Sequence, residues 1–325
     1  MQEFLCLCDN HYLERHESMS QFKLLLQVTR ARTLPVMAAP VILGSALAWQ
    51  DGASFNWGLF LLALIGSLAA HLAANVTNDV YDFTKGTDQT ALQMTTENET
   101  FVTGSRHLMQ GTYSLKFYRG LALILFVIAL LSGLALTIFR PWSLAFALIG
   151  FLLAFFYVAP PLRLAYIGRG LGELDIFLSF GLLPLLGAYY VQANTITLNA
   201  LIAAIPIGLY TMTVLYFHHF LHWRADKAVG KTTPIVALGE DRARKLGAIF
   251  LLLIAVTIII TALLGIFPWY SALAALTVAP VFLVLQQARG DIKNYLRLMA
   301  SNTLADWLAA LIILLAILIR GFWHT

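Results

Sequence analysis

The chain has 325 residues, of which 59% are hydrophobic and only 12% charged, with a mean hydropathy of +0.77. Those shares exclude an ordinary soluble domain and make the chain an integral membrane protein. A net charge of +4 matters less than where the charges fall, and no nucleic-acid partner is expected. Residues 1–29 read as a polar tail and interfacial lead-in. They hold Cys6, Cys8, His11 and His16 at a spacing that fits no zinc pattern, without the basic start and apolar core of a signal peptide. No structural disulfide is expected there. Residues 30–325 read as a single transmembrane domain. A helix needs about 20 apolar residues to cross the hydrocarbon, and nine candidate spans follow, at about 33–49, 56–77, 119–139, 141–159, 173–193, 196–218, 245–266, 268–287 and 301–320. Uncharged runs such as Leu121 to Phe139 lack the alternating polar positions of a transmembrane strand, so an all-α bundle is expected.

Basic residues sort to one face. With the N-terminus inside, nineteen of the 21 Lys and Arg residues fall in inward segments, and only Arg140 and Arg320 fall outside. The positive-inside rule then places the loop-rich face in the cytoplasm and the C-terminus outside; the expected location is the cell's inner (cytoplasmic) membrane, in contact with lipid headgroups. The two longest inward segments, about 78–118 and 219–244, follow the second and sixth spans. This offset suggests two four-helix halves with a site where they meet.

Both segments carry chemistry. The first opens Asn75-Val-Thr-Asn78-Asp79-Val-Tyr-Asp82 and continues through Gly86 to Asp88. Oxygen-only ligands at this spacing suit a hard divalent ion such as Mg2+, which keeps waters and binds through a few carboxylates together with a substrate's phosphates. Asp79 and Asp82 face the same way on a helical end. The second segment is His218-His219-Phe-Leu-His222-Trp-Arg-Ala-Asp226, followed by Gly230-Lys231. His218, His222 and Asp226 share a helical face able to grip a transition metal through imidazole, or to hold a Mg2+-bound phosphate through Asp226 alone. A diphosphate also needs cations, for which Arg106, Arg163, Arg169 and Lys231 are candidates. Asp306 lies inside the ninth span with Asn302 one turn away as its expected partner.

At these residues the chain resembles the UbiA superfamily of intramembrane prenyltransferases, which carry two Asp-rich motifs on the second and sixth of nine helices. The segments Arg30-Ala-Arg-Thr-Leu-Pro35, Asn75 to Asp88, Thr103-Gly-Ser-Arg106 and Pro160-Pro-Leu-Arg163, followed by Gly170-Leu-Gly-Glu173, match in order. Their form is closest to the branch that prenylates 1,4-dihydroxy-2-naphthoate in menaquinone synthesis. One motif departs: where the family usually has Asn-Asn-x-x-Asp, this chain has His218-His219-x-x-His222. Either one Mg2+ suffices, or His222 contacts phosphate, or the ion preference shifts, or activity is altered.

The resemblance implies Mg2+ on Asp79, Asp82, Asp88 and Asp226. The diphosphate of a polyprenyl donor would then be held with help from Asn75, Asn78, Arg106, Arg163, Lys231 and His222, and an aromatic acceptor would attack the allylic cation. Asp79, Asp82 and Asp226 are the expected catalytic groups, and Phe156 and Tyr157 stand near the mouth. Another acceptor (4-hydroxybenzoate, homogentisate, a tetrapyrrole or a lipid), a transporter, and a non-catalytic prenyl-lipid binder are the alternatives.

Overall fold

The computed structural model describes residues 21–85 and 106–324; the cysteine-bearing tail and Asp88 lie outside them. All elements among these residues are helical. In chain order they are α1 (Gln21–Val28), α2 (Leu34–Gln50), α3 (Trp57–Lys85), α4 (Arg106–Met109), α5 (Leu115–Phe139), α6 (Ser143–Phe156), α7 (Leu164–Ile167), α8 (Leu171–Ile176), α9 (Leu183–Ala193), α10 (Leu198–Ala228), α11 (Pro234–Leu238), α12 (Glu240–Leu263), α13 (Val278–Gln287) and α14 (Ile292–His324). A 3-10 turn, Ala31–Thr33, leads into α2, a π-helical turn, Phe177–Leu182, joins α8 to α9, and a 3-10 stretch, Trp269–Thr277, precedes α13.

Local chemistry sets the boundaries. Ser114 caps α5 by accepting from Phe117 N at 3.2 Å, and Thr197 caps α10 by accepting from Ala200 N at 3.1 Å. Glu240 and Asp241 occupy the first turn of α12, where they favour the helix dipole. No Gly or Pro interrupts residues 75–85 or 209–228, so α3 and α10 overrun the expected spans, α3 to Lys85, the last described residue before Arg106, and α10 to the turn at Gly230. Asp79 and Asp82, and His218, His222 and Asp226, are therefore helical as expected, and only the span bounds fall short of the helices that carry them.

Eight helical stretches among the described residues are long and apolar enough to cross a membrane, against nine expected. The difference is α6, whose 14 residues rise about 21 Å. Beyond it, Pro160 and Pro161 prevent further helix. Yet α6 runs from one end of the bundle to the other. At its start, Arg140 Nε donates to Val191 O at 2.7 Å, beside the end of α9. Past its end, Tyr157 lies among the acids of the two motifs.

The two ends of the bundle differ in character. At one, Asn56 and Gln192 exchange hydrogen bonds of 2.8 and 3.0 Å, Gln50 Nε2 donates to Ile266 O, and Arg320 Nη1 donates to Gly265 O, both at 2.9 Å. Arg140 and Arg320, the two cations set apart by charge sorting, both belong to this end. At the other end lie both polar motifs and their connecting loops.

The main core gathers Leu43, Leu47, Leu185, Tyr210, Phe217, Phe220, Ile254, Tyr295 and Ile313 from α2, α9, α10, α12 and α14. A smaller cluster of Val28, Val76, Val80, Leu108 and Tyr118 seats α3 against α1, α4 and α5. Inside the main core, Asn302 pairs across the bundle with Thr213 at 3.2–3.3 Å, and not with Asp306 as expected. The Asn302 amide and the Thr213 hydroxyl satisfy each other across the helix interface, which leaves the amide engaged away from Asp306. Asp306 Oδ2 is buried without a hydrogen-bond partner.

Candidate diphosphate site

Carboxylates near a helix C-terminus meet the negative end of the helix dipole, so Asp79 and Asp82 on α3 and Asp226 on α10 need compensation. Each has it. Asp79, with its side chain only 1% exposed, forms an ion pair with Arg30. Arg30 stands between α1 and α2 with a left-handed backbone, φ 54°. Next to it, Asn75 Nδ2 lies 3.3 Å from Thr29 O, 3.4 Å from Thr33 Oγ1 and 3.3 Å from His71 Nε2, and Thr33 Oγ1 lies 2.7 Å from that same imidazole. The polar face of α3 is thereby fastened to the segment preceding α2. Asp82 accepts from Asn78 Nδ2 at 2.9 Å on one oxygen and from the Tyr166 hydroxyl at 2.5 Å on the other.

The second half lies on α10 and the turn after it. Asp226 is 3% exposed. Its Oδ1 is 3.5 Å from Lys231 Nζ, and its backbone carbonyl accepts from Lys231 N at 2.8 Å, which folds the Gly230 turn back over the helix end. His218 and His222 do share a face, with ring centroids 4.6 Å apart. His219 points elsewhere, its Nδ1 3.0 Å from Glu173 Oε1 on α8.

The chain between α6 and α8 connects the halves. Tyr166 on α7 reaches Asp82 with its hydroxyl, while Lys231 Nζ lies 5.4 Å from the centre of its ring. Asp226 lies within electrostatic reach of Lys231, His219 and Asp82, and Arg30 and Lys231 both lie within reach of His218 and His222. Tyr157, just past α6, has Glu173, Asp175, Asp82 and Asp226 around it.

Asn75, Asn78, Asp79, Asp82, His222, Asp226 and Lys231 are thus assembled at one end of the bundle. Arg163 opens α7 with φ 51°, and its Nε is buried without a hydrogen bond. Arg106 opens α4, and Asp88 lies outside the described residues. Among the described residues no three His, Cys, Asp or Glu side chains converge as a ready-made metal cluster. The donor set still suits a hard ion that uses few protein ligands: Asp82 and Asp226 supply oxygen, and Asp226 Oδ2 is buried with no hydrogen bond. The partners that sequence reasoning missed are Arg30, counted there as a topology signal, together with Tyr166 and the Glu173–His219 pair. Arg30 and Glu173 stood in segments that match the family, which was the available signal for them, whereas Tyr166 fell outside those segments.

The sequence profile of the UbiA prenyltransferase family matches residues 37–302. A 1,4-dihydroxy-2-naphthoate octaprenyltransferase of Escherichia coli (strain K12) is 30% identical over 84% of this chain and 86% of its own length. A 2-carboxy-1,4-naphthoquinone phytyltransferase of Synechocystis is 30% identical over 77% of this chain and 78% of its own. Among solved structures, a UbiA homolog from Archaeoglobus fulgidus bound to GPP and Mg2+ superposes with a TM-score of 0.65 at 13% identity, covering 89% of this chain and 99% of that one. The profile spans all the membrane helices from α2 to the first turns of α14, including both acidic motifs and the strap between them, and the chain belongs to the UbiA prenyltransferase family.

Proposed function

We propose that this prenyltransferase moves a polyprenyl group from a polyprenyl diphosphate to 1,4-dihydroxy-2-naphthoate, a step of menaquinone biosynthesis. The observation that carries the reading is the meeting of Asp82 and Asp226, 144 positions apart in sequence, in one cluster that also holds Arg30 and Lys231. Acid for a metal and base for a phosphate stand side by side. The relatives named for naphthoate substrates support the choice of acceptor.

Mg2+ would be held by Asp82 and Asp226, with Asp79 and Asp88 as further candidate ligands, and when bound it supplies Lewis-acid stabilisation to the leaving diphosphate oxygens. Lys231 and Arg163 oppose charge as it develops on that group, with Arg106 as a third candidate. The allylic C–O bond breaks with its electron pair leaving on the diphosphate. The ring carbon bearing the carboxylate then attacks the cation, and CO2 departs, returning its bonding pair to the ring. Tyr157 gives the cation a π face. An apolar groove of about 160 Å³ between α2 and α14, lined by Pro35, Ala39, Ile42, Trp307 and Leu311, has room for the first isoprene units only, and the rest of the tail would extend into lipid. Pro35 lies five residues after Arg30, so the groove begins beside the acids.

Purified protein incubated with a polyprenyl diphosphate, Mg2+ and 1,4-dihydroxy-2-naphthoate should yield prenylated product and CO2. Asp82→Asn should lose at least about 100-fold in rate, the scale expected for removing a preorganised electrostatic contact. His222→Asp, which restores the family's usual acid, should lower the Mg2+ concentration required. Absence of product from wild type under every divalent ion and aromatic acceptor would leave prenyl-lipid binding without catalysis as the surviving reading.

A further inference from the structure

Tyr166 stands where the two halves of the site touch. Its hydroxyl donates to Asp82 Oδ1 at 2.5 Å, and the face of its ring carries the Lys231 ammonium, 5.4 Å from the ring centre and 3.5 Å from Asp226 Oδ1. Asp82 Oδ2 is held by Asn78, so both oxygens of that carboxylate have fixed directions.

The backbone around Tyr166 is built to keep it there. Ala165 N donates to Tyr157 O at 2.9 Å, and Leu171 N to Gly168 O at 3.1 Å, which closes both sides of the short α7 turn. Gly168 has φ 80°, and a Cβ on it would fall 2.6 Å from Thr232 O, the carbonyl of the residue following Lys231. The strap therefore rests its backbone on the turn that presents Lys231, and this contact sets the height of the Tyr166 ring against the ammonium.

We propose that Tyr166 is the positioning residue that ties the two halves of the diphosphate site together, its hydroxyl orienting Asp82 and its ring holding Lys231 beside Asp226. The proposal rests on the diphosphate reading above. Partners of a ligating carboxylate govern how well it binds an ion, and their loss typically weakens metal affinity about 10- to 100-fold. A cation held over an aromatic face meets the phosphate already in place. Tyr166 thus has two separable tasks, one for each half.

The experiment separates them with two variants of the full chain in lipid nanodiscs. Tyr166→Phe removes the hydroxyl and keeps the ring; Tyr166→Leu removes both. Mn2+ binding is followed by electron paramagnetic resonance, inorganic pyrophosphate binding by calorimetry, and turnover with prenyl diphosphate by product formation. Tyr166→Phe should weaken Mn2+ binding about 10-fold while leaving the pyrophosphate Kd within about 2-fold of wild type. Tyr166→Leu should weaken both. For Tyr166→Phe, kcat at saturating Mg2+ should stay within about 3-fold of wild type, with the loss confined to the metal requirement. Unchanged Mn2+ binding in Tyr166→Phe overturns the proposal, as does a fall in kcat in both variants at unaltered affinities. Wild type that binds Mn2+ and pyrophosphate but makes no product removes the transferase reading and leaves the two binding comparisons to decide the role of Tyr166. Wild type that binds neither overturns both.

Discussion

Asp79 is almost completely withdrawn from solvent, whereas Arg30 keeps 25% of its side chain exposed. Removing the cation strands a buried charge, while removing the acid leaves a guanidinium that can still find water. Arg30→Gln should therefore destabilise the protein by about 3 kcal/mol, the low end for a broken buried pair because Arg30 is only partly enclosed. Asp79→Asn should cost less, and the double variant should be more stable than Arg30→Gln alone, as judged by thermal unfolding in detergent. Additive losses would show that the two are not a coupled unit. The acid was legible in sequence because a carboxylate at the edge of an apolar run is conspicuous. Its partner was not, since 49 positions separate the pair and charge counting gives an arginine beside a first span an adequate role in topology. Tyr166 was less visible still, an aromatic residue among many in an apolar chain.

Helix identity followed directly from long apolar runs without Gly or Pro, and span positions from their lengths. The motif residues were read as helical and are; the spans at about 56–77 and 196–218 ended short of the helices because polar residues do not count toward a span although nothing in them stops a helix. Sequence periodicity also gave no hint of the π turn Phe177–Leu182, because such a turn is forced by what lies opposite. There, a Cβ on Gly181 would sit 2.1 Å from Gly208 Cα, so the backbones of the α8–α9 span and α10 touch. Phe177 packs onto the same glycine of α10, and Phe180 sets its ring edge-on to His71 of α3 at 5.0 Å. The span thus wedges between the two motif helices. Gly181→Ala should cost about 2 kcal/mol as an overpacked, backbone-limited contact and reduce activity by spreading α3 from α10. Gly150→Ala on α6, where a Cβ meets nothing within 4 Å, should be neutral or stabilising by about 0.5–1 kcal/mol. Melting temperatures of the two variants, read side by side, check the pair; equal effects would show that helix propensity and not close approach governs Gly181.

At the scale of the whole molecule, the site's chemistry and the chain's orientation are one question, because a polyprenyl donor and a charged acceptor must both reach the polar end. The chain passes from that end at α2 to the opposite end at Gln50, and returns along α3 to Asp82. It leaves again on α5 to Arg140 and is back at Tyr157 after α6. Two further round trips bring it to Gly290, whose N donates to Glu240 Oε1 at 2.9 Å and to the Tyr295 hydroxyl at 3.0 Å, and α14 then carries it to Arg320 beside Gly265. This path uses α6 as a crossing despite its length, and we propose on the positive-inside rule that the polar end faces the cytoplasm. Exposed Thr195 and exposed Arg289 mark the two ends. On a background of Cys6→Ser and Cys8→Ser, Thr195→Cys should react with a membrane-impermeant maleimide in intact cells, and Arg289→Cys only after permeabilisation. The reverse pattern would place the diphosphate site on the outer face, away from cytoplasmic polyprenyl diphosphates. Labelling of both in intact cells would mean that the path does not cross as the contacts at Arg140 and Tyr157 require.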